Sequence, residues 1–222
     1  MKVIIEIHKE LKAEEIYGDK PEYESYYKHR AEYFSPEQKE NLAGIYFHLY
    51  GKSNVPFYIG IADDMLGRNW SHFDCYLNGS YWLPINPDDL SNVEDCLKAN
   101  WEKDKFIKPR QPDDSIETKN LRAKSAKALI KETTVLFARV KKDGIKPAPS
   151  TQYRFLIEQV ERQLQENIVD NLKIDGSWIG LKGSNRGGGK EPGAYTLAFS
   201  YADVINTKID IGKPCHPHKI SP

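Results

Sequence analysis

The sequence predicts an α+β fold, a small mixed or antiparallel β-sheet flanked by helices. Three stretches carry that expectation. Over residues 45–61 two short apolar runs are joined by a turn, and Ile45, Phe47 and Leu49 alternate with Tyr46, His48 and Tyr50 at the period of a half-buried strand. Residues 133–140 are apolar and rich in β-branched side chains, which suits another strand. Over 151–169 the residues Leu156, Ile157, Val160, Leu164 and Ile168 fall on one stripe of a helix.

In chain order, residues 2–8 read as a short strand. Residues 9–34 are charged and rich in tyrosine, with Tyr17, Tyr23, Tyr26, Tyr27 and Tyr33. They suit one or two short helices interrupted at Gly18 and Pro21. Ser35-Pro36-Glu37-Gln38 has the chemistry of a helix start, a cap followed by Pro and acids. Gly51-Lys52-Ser53-Asn54 is turn chemistry, and Val55–Ile61 is the return strand with Pro56 near its start. A helix then carries Arg68 and His72, four apart and so on one face, with Trp70 and Phe73 directed to the core. Residues 77–115 are irregular, with one helix expected within 90–101, and the pairs Asp88-Asp89 and Asp113-Asp114 read as caps or turns. Residues 116–132 form a helix with a Lys/Arg face. Residues 147–150 link the next strand to the helix starting at 151. Residues 173–180 and 195–201 read as two further strands, separated by the basic, Gly-rich stretch 182–190.

Composition bounds the function. The 222 residues, 39% hydrophobic, allow one elaborated domain or a smaller one with extensions. Lys+Arg and Asp+Glu are both 32, so the chain is not a globally basic nucleic-acid binder. The charges are segregated, however: residues 117–146 hold nine basic against three acidic side chains, a net of +6. The three cysteines are widely spaced, which suits a reducing compartment rather than a disulfide framework or a structural zinc site. The Cys215-His216-Pro217-His218 tail is a weak metal pattern. With no apolar run of membrane-spanning length and no signal-like leader, the expected location is the cytoplasm.

Gly44-Ile45-Tyr46 and Tyr58-Ile59-Gly60, in order at hairpin separation and followed by Arg68 and His72, resemble the GIY-YIG nuclease family. The match covers residues 43–73, with a weaker continuation at 133–171. The chain looks most like a restriction-endonuclease member, because it shows no zinc finger, helicase or helix-hairpin-helix signature. The family's third strand commonly follows its first core helix, so its late arrival here makes about 75–130 an insertion. The organisation implied is an N-terminal extension over 1–40 packed on the core, a nuclease domain over 41–200 and a C-terminal tail over 201–222.

The resemblance implies a metal-dependent DNA endonuclease that leaves 5′-phosphate and 3′-hydroxyl ends, with double-stranded DNA as substrate. Two-strand cleavage with one site per chain suggests a homodimer or higher oligomer, and sequential nicking would also serve. One glutamate on the helix after the third strand holds Mg²⁺ (or Mn²⁺). Glu161 is preferred because it borders the apolar stripe, and Glu158, nearer the polar face, is the alternative. Arg68 meets the scissile phosphate, Tyr46 takes a proton from water once a cation has lowered its pKa, Tyr58 orients water or phosphate, and His72 bonds Tyr46 or relays the proton. Asn171 or Asn185 would brace the site. In the Gly-rich stretch, Lys182, Arg186 and Lys190 are either DNA contacts or part of a surface loop. The competing class is a non-catalytic nucleic-acid-binding module that keeps the fold; a repair or homing-type nuclease is the nearer variant.

Overall fold

The computed structural model describes residues 1–18, 23–92, 105–172 and 193–211. Its centre is a five-stranded mixed sheet. The strands are β1 (Lys2–Lys12), β2 (Gly44–Tyr50), β3 (Tyr58–Ala62), β6 (Thr133–Lys141) and β7 (Thr196–Tyr201), in the order β3-β2-β6-β1-β7. A second, two-stranded sheet joins β4 (Leu83–Pro84) to β5 (Phe106–Ile107). The helices are α1 (Ala13–Ile16), α2 (Tyr23–Glu32), α3 (Lys39–Leu42), α4 (Met65–Leu77), α5 (Ile116–Glu132) and α6 (Thr151–Leu172), with a 3₁₀ turn at Pro87–Asn92.

β1 is longer than expected and lies inside the sheet, antiparallel to β6 and parallel to β7. Val3, Ile5 and Ile7 are fully buried, the alternation that an inner strand with a packed face requires. Glu6 lies opposite Arg139 in the register and pairs with it at 2.8 Å, while Lys141 reaches the other Glu6 oxygen at 2.8 Å. The start of the chain is therefore a structural strand of the sheet rather than an attachment laid upon it.

β2 and β3 form the expected hairpin, with Tyr46 opposite Gly60 and His48 opposite Tyr58. Gly51 turns the chain with φ +57°, where a side chain would be strained. Two details differ from the sequence expectation. β3 begins at Tyr58 rather than Val55, because Pro56 has no N–H for the ladder; Phe57 instead donates to the His48 carbonyl at 2.9 Å. All seven residues of β2 are buried, so the polar half of its alternation faces protein rather than water. α4 covers the Tyr46–His48 side, and α6 packs against β2 and β3.

The helix starts follow capping chemistry. Asp64 caps α4 by accepting from Gly67 N–H at 3.0 Å, and Ser115 caps α5 by accepting from Thr118 N–H at 3.1 Å. The expected start at Ser35-Pro36 is instead a turn, in which Gln38 N–H donates to the Ser35 carbonyl, and α3 begins at Lys39. In α6, Leu156, Ile157, Val160, Leu164 and Ile168 are buried, as their stripe requires. The expected strand at 173–180 and most of the expected helix at 90–101 lie outside the described residues. No helix among the described residues is long and apolar enough to cross a membrane.

Gly44 sits beside β6 at the start of β2. A Cβ there would overlap the Ala138 carbonyl oxygen and lie 3.1 Å from Met65 Sδ. Gly44→Ala is expected to cost about 1–3 kcal/mol through overpacking, lowering the melting temperature by about 2–4 °C for each kcal/mol. A thermal melt followed by circular dichroism checks this; an unchanged midpoint would mean that the two strands have room to separate.

Candidate active site

The hairpin and α4 bring four of the expected side chains together. Tyr46 and Tyr58 come from paired strands, and their rings stack with centroids 5.9 Å apart. His72 of α4 places Nε2 3.1 Å from the Tyr46 hydroxyl and 3.3 Å from the Tyr58 hydroxyl. Arg68, one helical turn earlier, is exposed and within hydrogen-bond reach of the Tyr46 oxygen. Gly60 makes the arrangement possible, since a Cβ there would lie 2.5 Å from the Tyr46 hydroxyl and 2.7 Å from Tyr58 Cε1. That glycine is required by the side chains it faces.

Burial sets the protonation states. It raises the Tyr46 phenol above its ordinary value; Arg68 and hydrogen bonds from Tyr58 and Arg68 oppose this, and Glu161 adds to it. Tyr58 is raised for the same first reason, with Tyr46 adding. The expectation of a Tyr46 hydroxyl eased toward ionisation is thus not met by the protein's own groups, because desolvation outweighs the guanidinium. Burial holds His72 well below its usual range, with His48 and Arg68 adding. A neutral His72 can take the Tyr46 proton in a hydrogen bond at Nε2, leaving its own proton on the buried Nδ1, which has no partner among the described residues.

The two candidate glutamates have different surroundings. Glu158 is engaged by Arg154 at 3.0 Å, and Arg154 also lies 3.8 Å from Asp63. Glu161 is partly buried and makes no hydrogen bond or ion pair with the described residues. Its charge is felt by both phenols. Burial pushes the Glu161 carboxyl up to about 7; Arg154 and Arg162 oppose this and Glu158 adds to it. A divalent cation fits this group. A desolvated carboxylate without a partner is costly, and a bound cation would hold it ionised. The described residues contain no cluster of three or more His, Cys, Asp or Glu able to hold a metal, so the carboxylate would leave most of the coordination sphere to water and substrate, as Mg²⁺ accepts.

Three contributors were not singled out from the sequence. His48 packs between Tyr58, at 5.0 Å between centroids, and Phe73, at 5.4 Å. Its Nε2 donates to Asn69 Oδ1 at 2.5 Å, and Asn69 Nδ2 donates to the Met65 carbonyl at 2.8 Å. Burial takes His48 down to about 4, against the Asn69 bond. Period-2 spacing puts His48 on the Tyr46 face and so could have identified it. Tyr81, from the stretch after α4, packs on His72 at 5.4 Å and is close enough to Arg68 for its charge to act on the phenol; no local pattern announced it. Asn171 lies in the last turn of α6, with its side chain outside the described part. Asn185, Lys182, Arg186 and Lys190 lie outside the described residues altogether. Trp70 is only partly buried and packs on Tyr17 at 5.2 Å.

Comparison with family models, with curated proteins and with solved structures finds no match.

Because Glu161 is raised to about 7, the folded chain binds its proton more tightly than the unfolded chain does. Its contribution to stability is complete below the unfolded value near 4.5 and is lost as pH rises through about 7. Glu161→Gln should therefore gain about 2 kcal/mol relative to wild type between pH 5 and pH 8. Urea unfolding of both proteins at the two pH values measures the difference, and parallel curves would place Glu161 in ordinary solvent.

Proposed function

We propose that the chain is a metal-dependent phosphodiesterase of the GIY-YIG type that cuts double-stranded DNA. The observation that carries this reading is the convergence, from two strands and two helices, of a pair of buried phenols, a neutral imidazole, an exposed arginine and a desolvated carboxyl without a partner among the described residues. Hydrolysis of a phosphodiester needs a route for the attacking water's proton, positive charge at the phosphoryl oxygens and a means of locating the phosphate.

Arg68 is suited to the phosphate. It is exposed, its donors form a planar fork, and no carboxylate among the described residues occupies it. Tyr46 and His72 are suited to the proton. Tyr46 accepts a proton from water as it passes its own to His72 Nε2 over the existing 3.1 Å contact. That coupled transfer replaces a buried phenolate with a buried imidazolium, which burial also disfavours. His72 therefore returns the proton through Tyr46 to solvent or to the leaving oxygen, which gains a proton as its bond to phosphorus breaks. Tyr58 shares the same imidazole nitrogen and keeps the two rings in register. Glu161 would hold Mg²⁺ or Mn²⁺, which when bound supplies positive charge to the phosphoryl oxygens and a water of lowered pKa.

By the same resemblance the ends are 5′-phosphate and 3′-hydroxyl, the cutting is sequence-specific in the manner of a restriction enzyme, and a homodimer or higher oligomer delivers the two cuts. A net charge of zero supports a selective binder over a scavenger of any polyanion.

Purified protein incubated with mixed-sequence plasmid and phage DNA should give discrete bands with Mg²⁺ and none with EDTA. Arg68→Ala and Glu161→Gln should each lose at least about 10²-fold in cutting rate with the fold intact, while Glu158→Gln keeps activity. Normal cutting by Glu161→Gln together with loss in Glu158→Gln would reverse the assignment of the metal ligand.

In a separate melt at pH 8, Mg²⁺ should raise the midpoint of wild type and leave that of Glu161→Gln unchanged, because only a group that binds the folded state stabilises it. An equal rise in both proteins would exclude Glu161 as the ligand.

A further inference from the structure

The site explains how a phosphate is met at Arg68 but not what leads a strand to it. The stretch after α4 supplies a route. Tyr81 is close enough to Arg68 for its charge to act on the phenol. Two residues earlier, Gly79 turns the chain with φ +81°, and its carbonyl accepts from Arg110 N–H at 2.7 Å. A Cβ on Gly79 would lie 3.2 Å from Arg110 Cβ and 2.7 Å from Arg122 Cδ, so this turn is in direct contact with both. The backbone that carries Lys108 and Arg110 is thus tied to the turn two residues before Tyr81.

Arg122 is the clamp. It is buried on α5, donates to the Lys108 carbonyl at 3.1 Å and pairs with Asp114 at 2.8 Å. Its charge is used internally. Outside the clamp stand three exposed cations, Lys108, Arg110 and Lys119, the last one helical turn before Arg122. None of them is ion-paired among the described residues. Lys119 is within electrostatic reach of Asp114, which Arg122 already neutralises. Asp113 and Glu117 are the exposed acids nearest in sequence.

We propose that Lys108, Arg110 and Lys119 form a track that carries the phosphate backbone of duplex DNA to Arg68. The proposal rests on the nuclease reading of the site and adds to it the surface that delivers the substrate. A ridge of cations without ion-pair partners among the described residues, carried on backbone tied to the turn before Tyr81, is complementary to a polyanion. In a chain of zero net charge, such a local ridge must supply the attraction that overall charge does not. Backbone contacts of this kind position a duplex without reading its sequence.

The test is fluorescence anisotropy of the full chain with a labelled duplex of about 30 base pairs, in EDTA, at about 50 to 200 mM salt. The triple variant Lys108→Ala/Arg110→Ala/Lys119→Ala should bind more weakly on all duplex sequences alike. Its log–log salt slope should be shallower by about 2.7, three phosphate contacts at about 0.9 each. A control triple, Lys9→Ala/Lys142→Ala/Lys208→Ala, removes equal charge from residues packed on Tyr33, Tyr195 and Tyr201 and should keep the wild-type slope. The pair Asp113→Asn/Glu117→Gln should tighten binding. If wild type binds and the ridge triple keeps its slope, or if both triples lose slope equally, the track is overturned and the nuclease reading stands. Failure of wild type to bind any duplex at low salt overturns the nucleic-acid reading, and the track with it.

Discussion

Two phenol hydroxyls meet one imidazole nitrogen in the interior, and much of the arrangement around them follows from that contact. Buried hydroxyls need partners, since an unsatisfied one costs on the order of 1–3 kcal/mol. Tyr46, on an inner strand, and Tyr58, on its hairpin partner, both find theirs in His72 of α4. The contact therefore fixes the rotation of α4 over the hairpin, and with it the position of Arg68 one turn earlier. His48 adds a second polar tie through Asn69 to the Met65 carbonyl at the start of the same helix. These two imidazole links, with the Asp64 cap, hold the helix at its beginning and along the face turned to the sheet.

The same burial divides the site into two electrostatic parts. Below lie neutral groups: imidazoles held down and phenols held up by desolvation. Above stands Arg68, exposed, and to the side Glu161, whose carboxyl is raised to about 7. Neutral groups joined by short hydrogen bonds polarise one another in a poorly solvated interior. The two groups suited to charge are the two left without an opposite partner among the described residues. Nearby carboxylates such as Glu158 and Asp64 are engaged, the first by Arg154 and the second by Arg30. That contrast is what distinguishes Glu161 from its neighbour one turn earlier.

The hairpin, the Arg68–His72 helix, the strand at 133–141, the long amphipathic helix and the last strand could all be read from the chain, because each rests on a local rule. Alternation marks a strand, a 3.6-residue stripe marks a helix, and Gly with Asn marks a turn. Tyr46, Tyr58, Arg68 and His72 were likewise legible, being tied to those local elements by short spacings. The rest was hidden for stated reasons. The place of β1 inside the sheet depends on pairing with β6 and β7, more than a hundred residues away. The expected helix start at Ser35-Pro36 had the right residues, but the chain there makes a turn, and the brief helix α3 begins only at Lys39.

The sequence by itself determined the hairpin, the helix after it and the long amphipathic helix, and that two tyrosines, an arginine and a histidine would share one hairpin and one helix. It could do so because hydrogen-bond periodicity and side-chain direction repeat over a few residues. Only the tertiary structure decided that β2 is buried on both faces, that Gly44 and Gly60 are demanded by close approaches, and that Tyr81 packs on His72. Only it decided that burial would raise the phenols and leave Glu161, rather than Glu158, without a partner among the described residues. Those properties depend on solvent exclusion and on contacts between segments distant in the chain, and no short spacing encodes either.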